Sequence, residues 1–205
     1  MAEFKGAPPI LAIDGAAAWL IPNAPRGGRA HYQLASEKLS ATLGRSVVVS
    51  QRPSGRPRLD APDLELGVSL SYRDGSLLVG YSAHHAVGAD IEPDDPGLDP
   101  IALAKDHFAA AEALAIANER DVTAQRDLFF RLWVAKEAVL KATGRGIYDG
   151  LDQPDFSGAL ATLQQDGAEL RFATASRAPP GRAAVSTIKQ AGAPALYLGL
   201  ARLDV

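Results

Sequence analysis

The chain has 205 residues, 47% of them hydrophobic, and a formal charge of −3. That is material for one large or two small cores, with no basic excess to draw the protein to nucleic acid or an anionic membrane. The complete lack of cysteine excludes disulfides, thiol catalysis and cysteine-bound zinc, and it suits a reducing compartment. No uninterrupted apolar stretch approaches the roughly 18 residues of a membrane span. Met1 to Lys5, with Glu3 beside Lys5, does not make a secretory pattern, so a cytoplasmic location is expected.

Taken in order, Ile10 to Ile13 followed by Asp14-Gly15 predicts a first strand ended by a turn. Pro22 to Gly28 reads as loop. His31 to Leu43 has helical spacing through Leu34, Leu39 and Leu43, with Gly44 as the stop. The β-branched run predicts a brief strand at Ser46–Ser50, and the Pro- and Gly-rich Arg52–Pro62 reads as loop. Leu66–Ser71 and Ser76–Ala83 predict a hairpin around Arg73-Asp74-Gly75, because Asp-Gly favours the tight turn. Val87–Glu92, ended by Pro93, is expected as the third strand of the same sheet. The Pro/Asp-rich connector Asp94–Pro100 places a boundary between an N-terminal half, 1–95, and a C-terminal half, 96–205.

In the second half, Asp99–Asn118 predicts one amphipathic helix through Ile101, Phe108 and Leu114. Asp121 or Thr123 would cap a longer helix ending at Gly144. Strands are expected at 158–163 and 169–174 around a turn at 164–167, and again at Ala195–Leu203.

Two stretches carry the chemistry. Along the helix Phe129–Gly144, residues Phe129, Trp133, Glu137 and Lys141 recur every four positions and share a side. Glu137 and Lys141 alone would be explained by an exposed ion pair of about 0.3–0.5 kcal/mol. On the strand Val87–Glu92, alternation puts Gly88, Asp90 and Glu92 on one face and Val87, Ala89 and Ile91 on the other. Two neighbouring carboxylates on one short strand repel each other unless a cation sits between them. With a third carboxylate they would make an all-oxygen site suited to Mg²⁺.

VGADIE and LWVAKEAVLKATGRG, in that order, resemble the signatures of the 4′-phosphopantetheinyl transferase superfamily, a (V/I)G(I/V)D(I/L)E strand and a W-x-x-K-E-A-x-x-K helix. The helix keeps every defining position, and the strand differs only at Ala89. The length is similar to that of the larger, Sfp-type branch. The resemblance implies an α+β fold of two similar α/β halves related by a pseudo-twofold axis, hence a monomer that is a pseudo-dimer. The cleft would lie between the halves.

The activity implied is Mg²⁺-dependent transfer of the 4′-phosphopantetheine arm of coenzyme A to a serine of an apo carrier protein, with adenosine 3′,5′-bisphosphate as leaving group. Target carriers would belong to fatty-acid, polyketide or peptide synthases. Asp90, Glu92 and Glu137 are the implied metal ligands. Lys141 would stabilise charge on the pyrophosphate, and Glu137, directly or through a water on the metal, would be the base for the serine hydroxyl. Arg56, in Gly55-Arg56-Pro57, is a candidate ligand to the nucleotide end of coenzyme A; Arg29, and less closely Arg26, to its 3′-phosphate. Lys136 matches the pattern without a legible role.

One segment departs. The family's (F/W)-N-x-S-H-(S/T) corresponds here to Val68-Ser69-Leu70-Ser71-Tyr72-Arg73. Ser71 is kept, Tyr72 replaces the phosphate-binding histidine with a donor that carries no charge, and the resemblance makes both candidates for binding coenzyme A. Arg73 would face the opposite way from Tyr72. Two other readings stand beside the transferase: a non-catalytic relative that binds coenzyme A or a carrier protein, and a Mg²⁺-dependent nucleotide phosphohydrolase.

Overall fold

A computed structural model describes residue 9 and residues 11–13, 16–61, 67–82, 86–93, 95–144, 150–153, 155–159, 181–188 and 196–203. Leu11–Ile13 (β1) and Ala16–Ile21 (β2) pair antiparallel, with Ile13 opposite Ala16. The residues after the expected first strand are thus a second strand. Helix α1 spans Gly28–Leu43 and ends at Gly44, whose φ of 66° is left-handed and costs glycine little.

Two serines one turn apart on α1 hold Val48–Gln51 (β3) and the residue before it. Ser36 Oγ accepts from the Val49 amide at 2.8 Å, and Ser40 Oγ from the Val47 amide at 3.0 Å. Pro57–Asp60 (β4) pairs antiparallel with β3, so part of the expected Arg52–Pro62 loop is a hairpin arm. The pairing sets half-buried Leu59 opposite buried Val49, a contact that counting Pro and Gly conceals.

Gly67–Arg73 (β5) and Ser76–Ser82 (β6) form the expected hairpin over Asp74-Gly75, at φ 45° and 78°. Positive φ at both turn residues matches the twist of the flanking strands. The sheet order is β1-β2-β6-β5. Trp19, Leu77 and Val79 are buried in one core with Ala35 and Leu39 of α1.

Ala86–Pro93 (β7) corrects one expectation. It does not extend the β5–β6 hairpin; it pairs with Gly181–Ile188 (β8), which pairs with Leu196–Leu203 (β9). β5 meets β7 through side chains instead: Ser69 Oγ accepts from the Ala89 amide at 3.0 Å. Small residues also bring β6 close to β7, since a Cβ added at Gly80 would lie 2.7 Å from that of Ala89. β8 has no counterpart in the sequence reading. β9 falls on the expected final strand.

The helix expected over Asp99–Asn118 is two, Pro100–His107 (α2) and Ala110–Asn118 (α3). Phe108 is extended at the break and 6% exposed, turned into the core, while Glu112 Oε2 accepts from the Ala109 amide at 3.0 Å to cap α3. Val122–Thr143 (α4) is capped by Asp121, whose Oδ1 accepts from the Ala124 amide at 2.8 Å, and ends at Gly144 with φ 81°. From Leu128 onward α4 is buried almost all round, because α2 and α3 pack on one side and β7 and β8 on another. Trp133 packs with Phe108 and Phe129, as a core residue. Truncating Leu132, which is fully buried in this core, would cost about 2–5 kcal/mol.

Of the strand expected at 158–163, residues 160–163 lie outside the described residues, as do the expected turn and the strand expected at 169–174. Ser157–Ala159 is a turn of 3-10 helix.

Candidate functional site

The site begins with a glycine. A Cβ at Gly88 would overlap the Ala138 carbonyl oxygen and lie 2.6 Å from the Ala142 amide nitrogen. β7 therefore crosses α4 in backbone contact, and only glycine fits at the crossing. Asp90, two residues along the same face, is thereby carried to the last turns of α4, where Glu137 and Lys141 stand.

Asp90 is 1% exposed. Its Oδ1 accepts from Lys141 Nζ at 2.6 Å and from Ser71 Oγ at 2.8 Å. Lys141 Nζ also donates to the Ala89 carbonyl at 3.2 Å. The ion pair that Lys141 makes thus runs between α4 and β7, not along the helix to Glu137 as an exposed pair would. Asp90 Oδ2 is buried with no hydrogen-bond partner. A carboxylate oxygen left in that state is costly.

Glu137 is 4% exposed. Burial pushes its carboxyl up to about 7; the Asp90 charge adds to the rise, Lys141 opposes it, and Glu92 adds again. Glu92 is also raised, chiefly by burial, with Arg73 pulling the other way. Arg73 reaches Glu92 from β5: Nε lies 3.0 and 2.9 Å from the two carboxylate oxygens, and Nη2 2.8 Å from Oε1. Alternation along β5 does this. Ser69, Ser71 and Arg73 face β7, while Tyr72 faces away.

Among the described residues no three carboxylate or imidazole groups converge tightly enough to enclose a metal, and Glu92 is held by Arg73. The chemistry of the cluster nevertheless fits a hard cation. One buried carboxylate oxygen has no partner, and Asp90 and Glu92, though paired with Lys141 and Arg73, still raise the affinity of Glu137 for a proton.

The remaining expected residues fall in two places. Arg56 Nη2 donates to the Lys141 carbonyl at 2.7 Å, a cation on the C-terminal end of α4, and Gly144 leaves room for it. Arg29 and Tyr72 line a cavity of about 490 Å³ with His31, Tyr32, Ser50 and Gln51. His31 stacks on Tyr72 with ring centroids 4.3 Å apart. The structure thus brings Asp90, Glu137, Lys141 and Ser71 together with Glu92 beside them, and sets Arg29 and Tyr72 apart in the cavity.

Lys136, without a legible role in the sequence, is fully buried. Its Nζ lies 2.6 Å from Glu112 Oε2, and Glu112 Oε1 accepts from the Phe156 amide at 2.7 Å. Lys136 and Glu112 fasten α4 to α3 and to the chain at Phe156. Sequence reasoning missed Ser69, His31 and Glu112; only the alternating Ser69-x-Ser71-x-Arg73 pattern could have signalled any of them.

The α+β fold thus sets a buried carboxylate and a half-buried one, Asp90 and Glu92 of β7, against a helix that presents Glu137 and Lys141. Residues 86–192 match the sequence profile of the 4′-phosphopantetheinyl transferase superfamily, and the chain belongs to it. It is 33% identical over 122 residues to the 4′-phosphopantetheinyl transferase psf-1 of Bacillus pumilus, covering 59% of this chain and 48% of that one. It is 36% identical over 95 residues to HetI of Nostoc sp., covering 45% and 40%. With AcpT of Escherichia coli the identity is 31% over 122 residues, covering 59% and 62%. Both of these relatives are also named 4′-phosphopantetheinyl transferases. The chain spans about half the length of the curated relatives it matches. Among the described residues no helix is long and apolar enough to cross a membrane.

Proposed function

We propose that this protein transfers the 4′-phosphopantetheine arm of coenzyme A to a serine of an apo carrier protein and releases adenosine 3′,5′-bisphosphate. The observation that carries the proposal is buried Glu137, raised to about 7 beside Asp90 and Lys141 on the family's signature elements. A carboxylate near that value can take the serine proton at neutral pH. Lys141, part-exposed at the cluster, would stabilise charge on the pyrophosphate and the leaving oxygen. Asp90, Glu92 and Glu137 would hold Mg²⁺, which when bound supplies Lewis-acid stabilisation of the pyrophosphate. Ser71 orients Asp90. Arg29 and Tyr72 would take the nucleotide end of coenzyme A in their cavity, with Arg56 at the end of α4.

The reading keeps two similar halves, 1–95 and 96–205, each with a long helix and an antiparallel sheet, related by a pseudo-twofold axis; β7 crosses from the first segment into the sheet of the second. It also keeps a cytoplasmic monomer of the Sfp-type branch, acting on carriers of fatty-acid, polyketide or peptide synthesis. The test incubates the protein with fluorescent coenzyme A, Mg²⁺ and a panel of apo carrier proteins. Label on a carrier supports the transferase. Binding without turnover would make the protein a non-catalytic relative, and nucleotide hydrolysis without a carrier would make it a phosphohydrolase.

A further inference from the structure

Arg73 grips Glu92 more completely than a tie between strands requires. Its Nε and Nη2 make three contacts of 2.8–3.0 Å with the carboxylate, and Nη1 is anchored on the Tyr72 carbonyl at 3.1 Å. A guanidinium spread over both carboxylate oxygens occupies the electron pairs that a second cation would need. The Glu92 side chain is 13% exposed and that of Arg73 50%, so the arginine can withdraw into water while the carboxylate stays. Asp90 is handled differently. Lys141 and Ser71 take one oxygen and leave the other, buried, without a partner.

Charge completes the argument. When Asp90, Glu92 and Glu137 are all ionised, Lys141 and Arg73 neutralise all but one of their charges. Removing Arg73 leaves two uncompensated carboxylates and an open Glu92, which is the demand a divalent ion meets.

We propose that Arg73 is a resident cation of the carboxylate cluster that competes with a divalent metal ion for Glu92 and thereby sets the metal affinity of the protein. The proposal rests on the reading of Asp90, Glu92 and Glu137 as a metal site. Metal entry then requires Glu92 to be shared with Arg73 or released by it, and the released guanidinium is free to meet the anionic substrate at the mouth of the cluster. If Arg73 were only a strand tie, its loss would change stability and leave metal affinity alone.

The experiment measures Mn²⁺ and Mg²⁺ binding to the protein without coenzyme A, by electron paramagnetic resonance of free Mn²⁺ and by titration calorimetry. It compares wild type with Arg73→Met, Arg73→Lys and the double variant Arg73→Met, Glu92→Gln. A nearby unit charge changes the proton affinity of a carboxylate about 10–1,000-fold, and half-exposure places Arg73 at the low end. Arg73→Met is therefore expected to bind Mn²⁺ about tenfold tighter than wild type. Arg73→Lys, which keeps the charge and loses the fork, should fall between them, and the double variant should lose the gain. Unchanged or weaker binding by Arg73→Met, with wild type binding normally, overturns the role of Arg73 and leaves the metal site standing. No binding by wild type or by Arg73→Met at millimolar Mn²⁺ overturns both.

Discussion

The ammonium of Lys136 lies 2.6 Å from the Glu112 carboxylate, and neither side chain has any exposed surface. Phe108 and Phe156 close over it, with the ammonium 5.1 and 5.6 Å from their ring centroids. Burial lowers the pKa of Lys136 and the Glu112 contact opposes that shift. Breaking such a pair from one side strands the other charge and costs about 3–5 kcal/mol, whereas replacing both partners can be nearly neutral. Lys136→Met alone should therefore lower unfolding stability strongly, and adding Glu112→Gln should recover part of the loss. Urea denaturation of the three proteins checks this. A double variant no more stable than Lys136→Met would show that a stranded Glu112 charge is not the source of the loss.

Gly88 gives a second expectation. With the Ala138 carbonyl where a Cβ would stand, Gly88→Ala must push β7 off α4. It should cost more than the roughly 1–3 kcal/mol typical of overpacking, because backbone and not a flexible side chain must move. It should also separate Asp90 from Lys141 and so depress transfer in whatever fraction folds. Wild-type stability and turnover in this variant would show that the strand does not cross the helix at Gly88.

Glu137 sets a pH dependence in the protein freed of metal by chelator. Its carboxyl rises from 4.5 to about 7 on folding, so the folded state holds that proton more tightly. Its contribution to stability is fully present below pH 4.5 and is lost as pH rises through 7, by about 3 kcal/mol at most. Glu92, also raised, adds to the same fall. Glu137→Gln should flatten the fall between pH 4.5 and 7, and Asp90→Asn should shift the Glu137 titration downward in carboxyl carbon NMR. An unchanged stability profile in Glu137→Gln would mean that this group titrates normally.

Much of the site was legible because its geometry follows from local periodicity. Alternation put Gly88, Asp90 and Glu92 on one face of β7, and the spacing of four put Glu137 and Lys141 on one side of α4; both arrangements lie in single elements. What crosses between elements was not legible. In the sequence Ser71 is a coenzyme A candidate kept from the family segment and Arg73 a residue facing away from Tyr72; in the fold they bond Asp90 and Glu92 because β5 lies alongside β7. The sheet partner of β7 was misread for the same reason, since β8 lies about ninety residues away in sequence and nothing local announces it. Phe108 broke the helix over Asp99–Asn118 for the sake of a core contact, a tertiary gain that helix propensity does not register.

Under the proposed function, the cavity beside Tyr72 would take one end of coenzyme A. Arg29 is a cation at the start of α1, where the helix dipole also favours an anion, and it lines the same cavity as Tyr72 and His31. If the 3′-phosphate of coenzyme A sits there, Arg29→Ala should weaken coenzyme A binding and leave dephospho-coenzyme A, which lacks that phosphate, nearly unaffected. Tyr72→His should act less than the charge alone suggests. The new imidazole would stack on the His31 ring, where charging it costs more than in water. Dissociation constants for both ligands with wild type, Arg29→Ala and Tyr72→His across pH 5.5–8 decide the matter. Arg29→Ala should narrow the preference for coenzyme A about tenfold, the scale of one charge-assisted contact at a part-exposed site. If it weakens both ligands equally, the phosphate lies elsewhere and the cavity holds another part of the molecule.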